Sequence, residues 1–355
     1  MIHILIEENY SGNNRFHRLF EGISSVVRKK HEDVKVCGRI EELPAACRVV
    51  ILVCQSLKWS VGRVAALNER GIHPLVFGFP YLDTLYDYSS IAPNYTKAAF
   101  RLTRYMLSRN AGKTAVVGYN EDSLPDRLKL TGIRYAAEEM GQSTVIFAYN
   151  GEVEACLKHF SQECEDVKNV VCCNDNVAIL LHCRYPHLLE GRRMGSCSGL
   201  KLSEFFAEPY PVCRIDYFAA GVQLASLYLM LAKAEKLCST VMTFDMQFSC
   251  EGEEAFYHPK GAQSYSRAAV DFYGDKSLER MERLDRMLTD CDETDLSILA
   301  EVERGITYSE IADSRYLAVN TVKYRIKKMM ETVGVDARRE LQALIDEYKV
   351  TFEKS

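Results

Sequence analysis

Tryptophan occurs once in 355 residues, proline nine times and glycine 20 times. With aromatics at 10%, so small a share of glycine and proline excludes a collagen-like or low-complexity chain. No apolar run approaches the roughly 18–20 residues that cross a bilayer, so no membrane partner is expected. The first residues, MIHILIEENY, lack the basic region and small-residue cleavage site of a signal peptide. A soluble, cytoplasmic protein is the expectation. Paired metal-type cysteines are missing too: the 13 cysteines are odd in number, scattered from Cys37 to Cys291, and never spaced CxxC. That argues against a disulfide framework and against a zinc site.

Enzyme motifs are equally scarce. There is no GxGxxG, GxSxG or HExxH, and the eight histidines fall into no ligand or triad spacing. Ala111-Gly112-Lys113-Thr114 ends like a phosphate-binding loop, but Leu107 stands where its first glycine would be. That segment also joins a helix to a strand, the reverse of the order that cradles phosphate. No catalytic residue, metal ligand or cofactor is expected.

What the chain has is length and pattern. At roughly 100–200 residues per domain, 355 residues argue for two or three domains. The formal charge of −5 excludes a uniformly basic nucleic-acid coat but not a small basic patch. From the N-terminus, the apolar runs 2–6, 34–37, 49–54, 74–79, 114–118, 144–148 and 170–173 read as strands. Helical-period segments alternate with them; Phe16, Leu19, Phe20, Ile23, Val26 and Val27 mark one face of the first. Continuous apolar runs suit parallel strands covered on both faces, hence doubly wound α/β layers. Seven or eight such units are too many for one small sheet, so two lobes are expected.

Beyond Phe248 the period is lost, and from Leu278 the pattern is wholly helical. A helix over 295–303 closes at Gly305. A short one over 308–312 starts at Thr307 or Ser309, with Glu310 in its first turn, and a third is capped by Asn320. Three short helices with a tight turn before the third make a helix-turn-helix layout. Arg315, Lys323, Arg325, Lys327 and Lys328 put five cations and no acid between Ser314 and Met330. Yet residues 286–355 hold 11 basic and 14 acidic residues, net −3, so non-specific affinity should be modest and salt-dependent. The order of Gly305, Glu310-Ile311-Ala312, Val319-Asn320-Thr321-Val322-Lys323, Val333-Gly334-Val335 and Arg338 resembles the LuxR-type helix-turn-helix. That resemblance implies that Asn320, Thr321, Lys323 and Tyr324 face DNA. It gives Arg325 (in a place usually held by histidine) and Lys327 phosphate contacts, with Lys328 beside them.

Residues 1–250 carry weaker landmarks in a consistent order: IAPNYTKAAF, DRLKLTGIRYAAEEMG, NVVCCNDNVAILL and FAEPYPVCRIDYFAAGVQLASLYL. Together they resemble the effector-binding core of lactose-repressor-type regulators and the type I periplasmic sugar-binding proteins. The resemblance implies a ligand between two lobes, at the carboxyl ends of parallel strands. It implies ligand contacts at Asn9, Tyr10 and Phe16 after the first strand, at Asn94, at Lys129 in place of an arginine, at Asn174 and Asp175, and at Cys197 in place of an aspartate. An ammonium cannot reproduce a guanidinium's two-pronged geometry, so a simple sugar fits this set poorly.

The expected architecture is therefore α/β: two-lobed, type I periplasmic-binding-protein-like, doubly wound parallel sheets plus a C-terminal all-α helix-turn-helix domain. Lobe one should take about 1–111 and 217–236, lobe two about 112–213 and 240–250, a linker 251–285, and the DNA-binding domain 286–355. The stripe Leu278, Met281, Leu284 and Leu288 reads as packing on its own domain, with a short dimer helix as the alternative. The expected function is a regulator with DNA and a small-molecule effector as partners, acting as a homodimer. In lactose-repressor relatives the DNA-binding domain comes first; here the order is expected to be inverted. The competing reading is a protein-interaction or scaffold protein with a vestigial cleft.

Overall fold

A computed structural model describes the chain except residues 9–13, 30–32, 55, 83, 251–275, 349 and 353–355. Its contacts divide into two compact units. The first holds Met1–Tyr105, Tyr119–Gly141 and Cys213–Asp271, and the second holds Met106–Gly118, Gln142–Val212 and Phe272–Ser355.

The first unit is built on a six-stranded parallel sheet. It contains β1 (Ile2–Ile6), β2 (Val34–Cys37), β3 (Val49–Val53), β4 (His73–Phe77), β5 (Ser89–Pro93) and β11 (Val241–Phe244), in the order β11-β5-β4-β3-β1-β2. Every residue of β1, β3 and β4 is buried, as continuous apolar runs require. Helices α1 (Asn14–Arg28) and α7 (Tyr217–Lys233) pack against each other and close one face through Phe16, Leu19, Ile23, Leu224 and Leu227. The other face is covered by α2 (Leu57–Glu69), whose Val64 and Leu67 are fully buried. Helix α3 is Tyr95–Arg109.

Two expectations about the lobes are corrected. Residues 240–250 do not belong to the second lobe: β11 extends the first sheet beside β5, and β12 (Gln247–Phe248) pairs antiparallel with β10 (Cys213–Arg214). Helix α4 (Leu124–Glu139) also falls in the first unit. Its Leu124 joins the core of Leu5, Val50 and Val76, and a Cβ at Gly132 would lie 2.1 Å from the Thr96 carbonyl oxygen of α3. Only glycine allows that approach.

The second unit has a four-stranded sheet ordered β7-β6-β8-β9, from β6 (Lys113–Tyr119), β7 (Thr144–Ala148), β8 (Val167–Cys172) and β9 (Arg193–Ser196). Strands β6, β8 and β9 run parallel. It carries α5 (Val153–Glu163), α6 (Asp175–Arg184) and a 3-10 turn over Lys201–Phe205. In the same unit follow α8 (Lys276–Asp290), α9 (Glu293–Glu303), α10 (Tyr308–Arg315), α11 (Val319–Val333) and α12 (Arg338–Glu347). Helix α8 begins inside the stretch expected to be linker. Its Leu278, Met281, Leu284 and Leu288 are buried in the unit's own core, so that stripe is used within the chain. Among the described residues, no helix is long and apolar enough to cross a membrane, and no three His, Cys, Asp or Glu side chains form a metal-binding group. All 13 cysteines are free.

Candidate functional site

The helix-turn-helix starts from a reciprocal cap. The Asp292 carboxylate accepts from the Asp295 amide at 2.7 Å, and the Asp295 carboxylate accepts from the Asp292 amide at 3.2 Å. Helix α10 repeats the device with Thr307 and Glu310, so that of the two caps expected, Thr307 or Ser309, Thr307 is the one used. The hydrogen bonds from Thr307 hold the Glu310 carboxyl below its ordinary range. Between α10 and α11 the chain reverses at Tyr316, which adopts a left-handed backbone (φ 54°) with its side chain in solvent. Glu301 of α9 fixes the start of this turn. Buried, it accepts from Ser314 Oγ at 2.9 Å and Arg315 Nε at 2.8 Å.

Helix α11 begins two residues earlier than a cap at Asn320 would allow. The N-cap is Ala318, which has no side-chain acceptor, so Asn320 lies in the first turn and is not the cap. Val322, Ile326, Met329 and Val333 form the buried stripe. Asn320, Lys323, Tyr324, Lys327 and Lys328 are exposed, and Thr321 is half-buried. Lys327 makes only a loose pair with Glu331 at 3.6 Å, one turn on.

Arg325 differs from its neighbours. Its Nη1 donates to Asp295 Oδ1 at 2.7 Å and to Asp292 Oδ2 at 2.9 Å, and its side chain is 29% exposed. Those two bonds raise its pKa, and the Asp295 amide and Arg325 together lower that of Asp292. The phosphate contact implied for Arg325 would cost these two bonds; as it stands, Arg325 is a strut between α11 and the cap of α9.

The residues implied to bind an effector fall into both units. In the first, Phe16 is buried in the core over the sheet, a packing residue. Asn94 accepts from the Lys97 amide at 3.0 Å and so caps α3. Lys129 is 6% exposed; its Nζ lies 3.0 Å from Asp126 Oδ1 and 5.6 Å from the Tyr95 ring centroid. Asn9 and Tyr10 lie outside the described residues.

In the second unit, Asn174 caps α6 by accepting from the Val177 amide at 3.1 Å. Asp175 is fully buried. It accepts from the Leu200 amide at 2.5 Å, Ser203 Oγ at 3.0 Å and Tyr210 Oη at 3.4 Å. Burial, and then the Asp175 charge, push the Tyr210 phenol well above its ordinary pKa, so it stays a donor. Cys197 is buried beside Cys172, its amide bonded to the Cys172 carbonyl at 3.2 Å.

Residues 292–332, from the cap of α9 through most of α11, match the family model of winged helix-turn-helix DNA-binding domains. That match is the helix-turn-helix. No curated protein sequence matches the chain. By fold, the chain is similar to a probable maltose operon transcriptional repressor from Staphylococcus, with TM-score 0.56 at 15% identity over 70% of this chain and 96% of that one. It is similar to a LacI family transcriptional regulator from Enterococcus faecium with bound ribose, with TM-score 0.55 at 14% identity over 70% and 97%. A periplasmic sugar-binding protein from Legionella pneumophila gives TM-score 0.54 at 11% identity over 68% and 97%. The chain thus has the type I periplasmic-binding-protein-like fold followed by a helical helix-turn-helix region.

Sequence reasoning missed Tyr316, Glu301 and the Asp292–Asp295 cap. The cap was legible as Asp-x-x-Asp ahead of an apolar run. Nothing local marks Glu301, whose partners lie 13 and 14 residues on.

Proposed function

We propose that the chain is a DNA-binding transcriptional regulator, whose small-molecule effector binds between the lobes of the sensor and repositions the C-terminal helix-turn-helix. The observation that carries this reading is α11: Asn320, Lys323, Tyr324, Lys327 and Lys328 stand exposed on a helix anchored by its opposite stripe. Such a helix suits the major groove, with amide and aromatic groups for base edges and ammonium groups for phosphates. The finer assignment is LuxR-type. In its support, α12 follows α11 directly after Gly334–Ala337, and among the described residues no strand pair follows α11. The matched residues 292–332 end before any wing would begin.

The net charge of −3 over residues 286–355 makes a single domain a weak binder, so two copies on two half-sites are proposed. The similar Enterococcus regulator holds ribose. Here Lys129 is paired with Asp126 and Cys197 is buried, which favours an effector with fewer hydroxyls than a sugar. A mobility-shift assay tests the reading: the wild-type chain should retard a cognate duplex. Lys323→Ala combined with Lys327→Ala should abolish the shift with the circular dichroism spectrum unchanged. Equal retardation by the double variant would reject α11 as the reading element.

A further inference from the structure

The second sheet and the helix-turn-helix are joined by more than a chain connection. One hydrophobic core runs from Val170, Leu181 and Leu202 through Leu284 and Met287 to Ile326 and Ile345. At its centre lies Leu200–Ser203, at the start of the 3-10 turn. From the sheet side, Asp175 at the first position of α6 accepts from the Leu200 amide and Ser203 Oγ. From the helical side, Asp285 of α8, also buried, accepts from the Leu202 amide at 2.8 Å. Asn176 adds a direct bond, its Nδ2 donating to Glu282 Oε1 of α8 at 3.2 Å. Helix α8 packs in turn on α11 and on the 3-10 turn. The chain end returns to the same place: the Thr351 amide donates to the Phe205 carbonyl at 2.8 Å, and the Phe205 and Phe352 rings sit 5.7 Å apart.

We propose that Asp175 and Asp285 are positioning residues for the recognition helix, gripping Leu200–Ser203 from both sides so that the second sheet and α8–α12 act as one mechanical body. This rests on the reading of α11 as the recognition helix and names how the sensor governs it. The turn after β8, where Asn174 is the implied effector contact, reaches α11 through one 3-10 turn and one helix. Two buried carboxylates bonded to successive backbone and hydroxyl donors leave little freedom between the bodies they join, because releasing either strands a charge away from water. A flexible tether would transmit no rotation; this joint transmits it whole.

Hydrogen exchange read by mass spectrometry on the full chain tests the joint without DNA or ligand. Asp175→Asn should speed exchange by about tenfold or more in α8 and α11 as well as in residues 198–206. Asp285→Asn should act in the opposite direction along the chain, speeding exchange in α6 and near Tyr210. Ser203→Ala, which removes the hydroxyl's bonds to Asp175 and to the Leu200 carbonyl but leaves both carboxylates, gives the same pattern more weakly and serves if either carboxylate variant fails to fold. Leu224→Ala, in the core of the first unit, should leave α8 and α11 unchanged. Faster exchange confined to residues 174–210 in Asp175→Asn, with α8 and α11 as in the wild type, would overturn the proposal. Because no DNA enters the measurement, that failure is separate from a failure of α11 to bind DNA in the mobility-shift assay.

Discussion

Arg325 and Lys327 stand two positions apart on α11 and are held in different ways. Lys327 is 74% exposed beside a loose i,i+4 pair, whereas Arg325 is drawn onto Asp292 and Asp295. Each phosphate contact adds about 0.9 to the slope of log affinity against log salt. Lys327→Ala should therefore flatten that slope by about one contact, measured by fluorescence anisotropy at several salt concentrations. Arg325→Ala should leave the slope unchanged and lower the melting temperature, at a cost of about 1 kcal/mol. A flattened slope in Arg325→Ala would return it to the DNA.

His73 makes a second prediction at this scale. Its Nε2 lies 2.9 Å from Ser89 Oγ inside the first sheet, and burial lowers its pKa from the ordinary 6.5. As pH falls through 6.5, the unfolded chain takes up the proton first, so stability is lost below that pH and is unaffected above it. The melting temperature should drop between pH 7.5 and 5.5. His73→Asn should reduce the drop, with the remainder from His3, whose pKa burial also lowers.

At the scale of elements, the continuous apolar runs and one helix cap formed as read, whereas the cap expected at Asn320 did not. The continuous apolar runs became β1, β3, β4 and β6, and the Thr307–Glu310 cap starts α10. Strand β5, Ser-Ser-Ile-Ala-Pro, escaped because polar residues hid a buried strand. Its Ser89 and Ser90 are fully buried and bonded, to His73 and the Cys238 carbonyl and to the Pro80 carbonyl. Strand β11 escaped for a different reason: its pairing with β5 is fixed some 150 residues away in sequence, and no local pattern announces the partner. The implied effector residues were legible as positions but not as environments. Asp175 and Lys129 were singled out from their motifs, and only the fold reveals that both are buried in bonded networks. The end of α11 offers a test of element geometry. Gly334 caps it with φ 75° beside Arg283 of α8, so Gly334→Ala should destabilise the second unit by about 1–2 kcal/mol, read as a lower melting temperature.

For the whole molecule, the sequence divides function differently from structure. By composition, residues 286–355 form a separate small domain of net charge −3, following an irregular stretch. By packing, α8–α12 share a core with the second sheet, and the first sheet with α1, α2 and α7 forms the other unit. Charge patterning drew attention to the segment because five cations within 17 residues are a local property, and that segment falls inside the matched helix-turn-helix. The sharing of a core was not legible, since it is made by Asp175, Leu202 and Asp285, which no motif connects.

Exposed residues of α11, in two copies, are proposed to read DNA sequence. Selection of bound duplexes from a random pool tests it most directly. An inverted repeat should be enriched at moderate salt, with half-sites centred about 10–10.5 base pairs apart or a multiple of that. Recovery of no enriched sequence, with the chain folded and salt lowered, would contradict the proposal.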